Sequence, residues 1–162
     1  MEELKKIVEN VETSEEFKKF KDEIYLCSLF TIMDKNEGTW QIDYYNSKKD
    51  KMVSFVVENG KVKSEESKIF KEKDAKVAKL ELNEVKINLK EAIKLANEIH
   101  KKKYLNETVN KKIVILQFIN APVWNITYVT AGFNIVNFKL NAVSGVLVSD
   151  NISSALSLGT KN

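Results

Sequence analysis

The chain has 162 residues, of which 43% are hydrophobic, so it can bury a substantial core, and its net charge is only +3. It contains no arginine, and acidic residues interleave with the lysines of residues 1–81, so we expect no nucleic-acid-binding surface. One cysteine and one histidine exclude an internal disulfide and a zinc site of the usual ligand type, and we expect neither a metal ion nor another cofactor.

Residues 1–66 predict a helical region followed by an antiparallel meander. Apolar residues recur at helical spacing near the N-terminus, at Leu4, Ile7, Val8 and Val11. Thr13 with Glu16 resembles a capping box and predicts a second, short helix. Four strands are then predicted, over residues 25–33, 39–46, 52–57 and 61–64. The pair Asn59-Gly60 favours a tight hairpin between the last two strands.

Residues 86–152 predict the same order of elements again, after a partly helical connection over residues 67–85. Asn88 is a plausible N-cap because Glu91 follows three residues later, and a helix is expected from there to about Tyr104. The predicted strands cover residues 113–119, 124–130, 134–140 and 146–149. Residues 153–162 are small and polar and are expected to form a flexible tail.

The two predicted units share a local motif. The sequence WQIDY at residues 40–44 returns as WNITY at residues 124–128, and in each unit a phenylalanine and a turn glycine follow at similar distances. Such self-similarity is typical of one structural unit used twice. We therefore predict an α+β fold of two tandem units, each a helix with an antiparallel meander.

The second unit resembles the PepSY domain, a module named from metallopeptidase propeptides and a spore-cortex protein. The resemblance rests on the helix motif KEAIKLA at residues 90–96, the strand VWNITY at residues 123–128 and the hairpin FKLNAVSGVL at residues 138–147. Residues 1–66 look like a diverged copy. The resemblance implies a cystatin-like sheet and a non-catalytic module that binds and restrains peptidases or regulates partners near the cell surface, with no catalytic residue to carry over.

Five aromatic residues in the strands are candidate binding residues, at Trp40, Tyr44, Trp124, Tyr128 and Phe138. If the rings of Trp40 and Trp124 are exposed, they form a platform for a peptide or a sugar. The alternative is core packing, because each tryptophan stands in an alternating strand. We predict no enzyme activity, since Cys27 lies in an apolar run and His100 has no hydrolase motif around it.

Charge is scarce in the second unit. From Ile113 to Thr160 only Lys139 and Asp150 are charged, so this stretch must be covered by helices or by another chain. We expect residues 123–148 to host a homodimer contact or a bound peptide.

The predicted function is that of a binding or regulatory module whose partner is a protein or a peptide, with a peptidase as one candidate. The alternative is a small-molecule carrier or enzyme on a cystatin-like sheet, with His100 or a tyrosine at the mouth of an apolar pocket.

The sequence contains no run of the roughly 18 apolar residues that a membrane span requires. Its first residues are charged and lack the apolar region of a signal peptide. We therefore expect a soluble, cytoplasmic protein, the alternative being an extracytoplasmic protein whose N-terminal anchor or signal has been removed.

Overall fold

The computed structural model describes residues 1–20, 22–35, 37–69, 71 and 75–158, without the side chains of 157 and 158. The helices are α1 (Glu2–Glu12), α2 (Glu15–Lys18), α3 (Leu89–Lys103) and α4 (Ala155–Leu158), with a short 3₁₀ turn at Leu82–Glu84. The strands are β1 (Ile24–Asp34), β2 (Trp40–Asn46), β3 (Lys51–Glu58), β4 (Lys61–Lys68), β5 (Val109–Phe118), β6 (Pro122–Thr130), β7 (Asn134–Asn141) and β8 (Leu147–Ser154). The predicted α+β composition is confirmed at this level.

The eight strands form one antiparallel sheet in the order β4-β3-β2-β1-β5-β6-β7-β8. Each meander pairs its strands with their neighbours in sequence. The two meanders meet where β1 pairs with β5, from Ser28 opposite Gln117 to Asp34 opposite Lys111. The sequence predicts the meanders but not this central seam, which makes them one continuous sheet.

The main helices α1, α2 and α3 lie on the same face of the sheet, which we call the helix face. Residues directly opposite in neighbouring strands share a face, and the pairs Leu29–Ile42, Leu29–Leu116 and Leu116–Trp124 connect β2 to β6 in this way. Phe17 of α2 packs edge-on against Tyr44 of β2, and the indole of Trp124 bonds to the backbone that leads into α3. The core therefore lies in a single layer between helices and sheet.

The two meanders place matching residues in matching register. Ile42 lies opposite Phe55 in the first, and Ile126 lies opposite Phe138 in the second. One step along the strands, Tyr44 lies opposite Val53, and Tyr128 opposite Val136. All eight side chains are buried, so both meanders present the same apolar pattern to their helices.

The helix starts confirm one prediction and correct another. Asn88 caps α3 in a full capping box with Glu91, as predicted. Helix α2 is capped by Ser14, whose hydroxyl accepts a hydrogen bond from the Phe17 amide, and not by Thr13. The Thr13 hydroxyl donates instead to the carbonyl of Glu9, because Thr13 still belongs to the end of α1.

Across the described residues, no helix is both long enough and apolar enough to cross a membrane.

The predicted connection is less helical than expected, since among its described residues only the 3₁₀ turn at Leu82–Glu84 is helical, whereas the tail is more regular than expected. Strand β4 extends to Lys68, and the Leu80 amide donates a hydrogen bond to the carbonyl of Leu26 in β1. At the other end, β8 continues to Ser154 because β7 supplies partners that far, and α4 follows directly. Residues 70 and 72–74 of the connection and 159–162 of the tail lie outside the described residues.

Candidate functional site: the β8 edge of the sheet

The five aromatic residues predicted to bind a partner lie in the helix–sheet layer. Tyr44, Trp124, Tyr128 and Phe138 are buried, and Trp40 is half-buried. Trp124 is fully enclosed, and its Nε1 donates a 2.8 Å hydrogen bond to the carbonyl of Ile87. The structure therefore shows these side chains packed in the core, which was the alternative weighed for the tryptophans.

The buried tyrosines at matching positions both reach the helix layer through their hydroxyl groups. Tyr44 donates to Glu12 Oε1 of α1 at 2.8 Å, and Tyr128 donates to Asn97 Oδ1 of α3. Burial raises the pKa of both tyrosines above its ordinary value, with the Glu12 carboxylate adding to the effect on the pKa of Tyr44. These hydroxyls therefore stay protonated and hold each helix to its meander.

The two side chains with the greatest chemical reactivity, Cys27 and His100, are buried and half-buried respectively. Burial first, and the Asp43 charge second, raise the pKa of the Cys27 thiol to about 12, which keeps it protonated near neutral pH. His100 packs against the ring of Tyr128, and its Nε2 is buried without a hydrogen-bond partner among the described residues. In the described part of the chain, no group of three or more His, Cys, Asp and Glu side chains is arranged to hold a metal ion.

The opposite face of the sheet, which we call the open face, carries two polar networks at matching positions. In the first meander, the Asp43 carboxylate accepts hydrogen bonds from Gln41, Ser54 and Ser28. In the second, Asn137 Nδ2 donates to Asn125 Oδ1 and Thr127 Oγ1. Sequence reasoning missed these networks, although the polar residues alternate with the buried ones along both strands. They bind neighbouring strands to one another.

The strand edges of the sheet lie elsewhere than predicted. Strands β6 and β7 are hydrogen-bonded to neighbours along both sides, so the partner strand expected at residues 123–148 has almost no free edge there. The outer strands are β4 and β8. Of the range in which the contact was expected, only Leu147 and Val148 lie on an outer strand, β8.

Exposed apolar side chains collect around β8. Of the nine large hydrophobic residues that are exposed in the described chain, five lie on this strand or within four residues of it: Val143, Val146, Val148, Ile152 and Leu156. Val148 is 59% exposed and Ile152 is 45% exposed. An edge strand with such neighbours is a typical site for the addition of another strand.

Asp150, the single charged residue of β8, forms hydrogen bonds with two residues at the C-terminal end of α3. Lys103 Nζ lies 3.0 Å from both carboxylate oxygens of Asp150, and the Tyr104 hydroxyl donates to Oδ2 at 2.7 Å. These hydrogen bonds, that of Tyr104 first, lower the pKa of Asp150. The carboxylate is thus neutralised within the chain and leaves the β8 edge without an unpaired charge to repel a second strand.

A cleft of about 660 Å³ lies between α1 and residues 79–83. Its floor is apolar and includes Phe17 and Leu80, and the Tyr44 ring lines it as well. Its rim is charged, with Glu9 and Glu12 among the lining residues. The volume lies in the range of small-molecule sites, although most such sites have a less polar rim.

No known family model matches this chain, and no curated protein matches its sequence. Its fold is similar to the crystal structure of a "putative lipoprotein" from Clostridium difficile 630, with a TM-score of 0.57 over 85% of this chain and 88% of that chain. The two sequences are 16% identical, so the likeness concerns the fold alone.

Proposed function

We propose that this protein is a non-catalytic binding module that takes up an extended segment of a protein partner at the β8 edge. The observation that carries the proposal is the chemistry of that edge: eight residues of strand, one internally neutralised charge and a surrounding group of exposed apolar side chains. Strand addition supplies affinity through backbone hydrogen bonds, and side chains beside the edge supply selectivity.

We further propose that the chain is a tandem PepSY-like duplication with units at residues 1–66 and 86–152. The support is the matching register of the pairs Ile42–Phe55 and Ile126–Phe138, together with tyrosine hydroxyls that reach the helix layer from the same strand position. The two units agree in strand register, in buried core residues and in side-chain hydrogen bonds, which a shared strand pattern alone does not require.

A peptide-binding measurement tests the main proposal. We would titrate ¹⁵N-labelled protein with short uncharged peptides rich in valine, isoleucine and threonine. Amide shifts should concentrate in β8 and its neighbour β7. The control peptides carry a central proline, which removes a donor that strand pairing requires and should abolish the shifts. Shifts in β4 or on the open face, or none at all, would contradict the proposal.

The regulatory form of the proposal has a peptidase as the partner. We would measure turnover by a metallopeptidase of the source organism with and without the protein. The proposal expects slower turnover with the natural chain and no effect from the Ile152→Glu variant, which places a charge on the exposed edge. Equal inhibition by both proteins would remove the β8 edge from the mechanism.

We propose an extracytoplasmic location in preference to the cytoplasmic one. The support is the description of the structurally similar protein as a lipoprotein, combined with the cell-surface role that the PepSY resemblance implies. Fractionation of the source organism tests this proposal, and recovery of the protein with the cytoplasm would overturn it.

A small-molecule carrier is the second candidate function, and the cleft beside α1 favours it. Native mass spectrometry of freshly purified protein separates the two functions. A co-purifying ligand that is lost in a Leu80→Trp variant, which fills the floor of the cleft, would favour the carrier. A bare mass with peptide binding intact would favour the binding module.

A further inference from the structure

We infer that the β8 edge pairs with the β8 edge of a second copy of this chain, so that the protein forms a dimer that must open before a partner segment binds. This inference rests on the proposed function, because it names the regulation of the same edge. In the unbound protein, the edge is occupied by another copy of β8 in antiparallel orientation.

The two outer strands of the sheet show why β8 and not β4 is the dimer edge. Strand β4 reads KVKSEESK, and its charges repel another strand. On β4, Glu66 lies opposite Val53, and at the matching position on β8, Ile152 lies opposite Val136. An exposed isoleucine thus stands where the other edge has a carboxylate.

The β8 strand is complementary to itself about a two-fold axis at Ile152. Opposed residues of an antiparallel pair share a face, so the two-fold axis of a self-paired strand runs between the two copies of one residue. With the axis between the two copies of Ile152, the two isoleucines lie side by side, and residues 150–154 of each copy pair. Just beyond this segment, Val148 of one copy lies toward helix α4 of the other, which carries Leu156. Both side chains are exposed in the single chain, at 59% and 70%.

The same axis keeps the charged residues apart. Each Asp150 lies two positions from the axis, opposite residue 154 of the partner subunit, so the two carboxylates do not meet. Helices α1, α2 and α3 of both copies stay on one face, because the axis is perpendicular to the sheet. The product is a continuous sixteen-stranded sheet formed by an isologous contact.

Sedimentation equilibrium over a hundredfold range of concentration tests the dimer. The natural chain of 18.6 kDa should reach twice that mass as concentration rises. Ile152→Glu, which copies the β4 arrangement, should remain monomeric at every concentration. The matched control Ser67→Glu adds a charge to the exposed β4 edge and should behave as the natural chain. A natural chain that stays monomeric, or an Ile152→Glu variant that still forms dimers, would overturn the inference.

Cysteine crosslinking tests the position of the axis. The natural Cys27 is buried and its raised pKa makes it unreactive, so a single introduced cysteine reports alone. Ile152→Cys should form a covalent dimer under mild oxidation with diamide. Ile32→Cys, exposed to a similar degree on the open face, should not. Crosslinking at residue 32 and not at residue 152 would place any dimer on the open face and refute β8 pairing.

The two measurements separate this inference from the function on which it rests. If the natural chain is monomeric and peptides still shift the β8 amides, only the dimer is wrong. If the chain forms dimers through residue 152 and peptides neither bind nor dissociate them, the dimer is correct and the proposed peptide-binding function is wrong. If both hold, peptide affinity should fall as protein concentration rises, since binding competes with self-pairing.

Discussion

The two halves of the sheet share their strand register and differ in what their outer strands expose. Val53 and Val136 hold the same internal position, but the outer neighbour is Glu66 in one half and Ile152 in the other. The buried pattern maintains the fold, whereas the outer strand is free to change because its side chains contribute little to the core. Equal architecture in the two halves therefore carries unequal surface chemistry.

Removal of the two tryptophans gives the largest expected contrast between the halves. Trp124→Ala should lower the free energy of unfolding by about 3–5 kcal/mol, because a fully buried ring leaves a cavity. Trp40→Ala should cost less, about 1–2 kcal/mol, because its ring is half-buried. Urea denaturation of both variants measures the difference, and equal losses would refute the burial contrast.

The two hairpin glycines give the next contrast. Gly60 and Gly145 both have a positive φ angle, +75° and +76°, so an alanine at either strains the backbone by about 1 kcal/mol. A Cβ at Gly145 would also lie 3.3 Å from Leu95 Cδ1, whereas nothing lies within 4 Å at Gly60. We expect Gly145→Ala to cost about 2 kcal/mol and Gly60→Ala about 1 kcal/mol. A thermal unfolding series checks the order. The reverse order would show that α3 does not restrict the space around Gly145.

The buried tyrosine hydroxyls should make similar contributions in both halves. Tyr44→Phe and Tyr128→Phe each remove one hydrogen bond to the helix layer and should cost about 0.5–1.5 kcal/mol. A double-mutant cycle of Tyr128→Phe with Asn97→Ala isolates the pair in the second half. An additive result would mean that the hydroxyl and the amide do not interact.

The pH response should distinguish the halves, since the single histidine lies in α3. Burial lowers the pKa of His100 below its ordinary value of 6.5, partly offset by Glu107. The unfolded chain therefore binds a proton more readily than the folded one, and stability should fall as pH drops below about 6.5. The lowered pKa values of Asp150 and Glu107 add losses only at more acidic pH.

Hydrogen exchange at pH 7 and pH 5.5 checks the histidine. Protection should decrease around α3 before it decreases around α1. A His100→Phe variant, which fills a similar space beside Tyr104 and Tyr128 without a proton to bind, should show a smaller difference between the two pH values. Equal slopes in the variant and the natural chain would remove His100 from the response.

Local sequence signals predicted most of the elements. Alternation identified the strands around Trp40 and Trp124, and the Asn88 capping box marked the start of α3 to the residue. The polar sequence after Val148 hid the full length of β8, because serine and asparagine have weak strand preference and only pairing with β7 keeps this segment extended.

The candidate site was less predictable than the fold. The scarcity of charge pointed to the half of the chain that contains β8, but which strand is outermost depends on the pairing of β1 with β5, about eighty residues apart in sequence. A pairing at that separation leaves no local pattern. Aromatic residues in alternating strands fit either a core or an exposed platform, and only the position of the helices distinguishes the two.

The seam between β1 and β5 has a consequence for any shortened form of the molecule. Both strands are rich in apolar residues, and the backbone edge of each is hydrogen-bonded to the other along the seam. A fragment that ends within the connection would expose this edge to solvent. Isolated fragments should therefore aggregate, or recombine when mixed, because each half covers the central strand edge of the other.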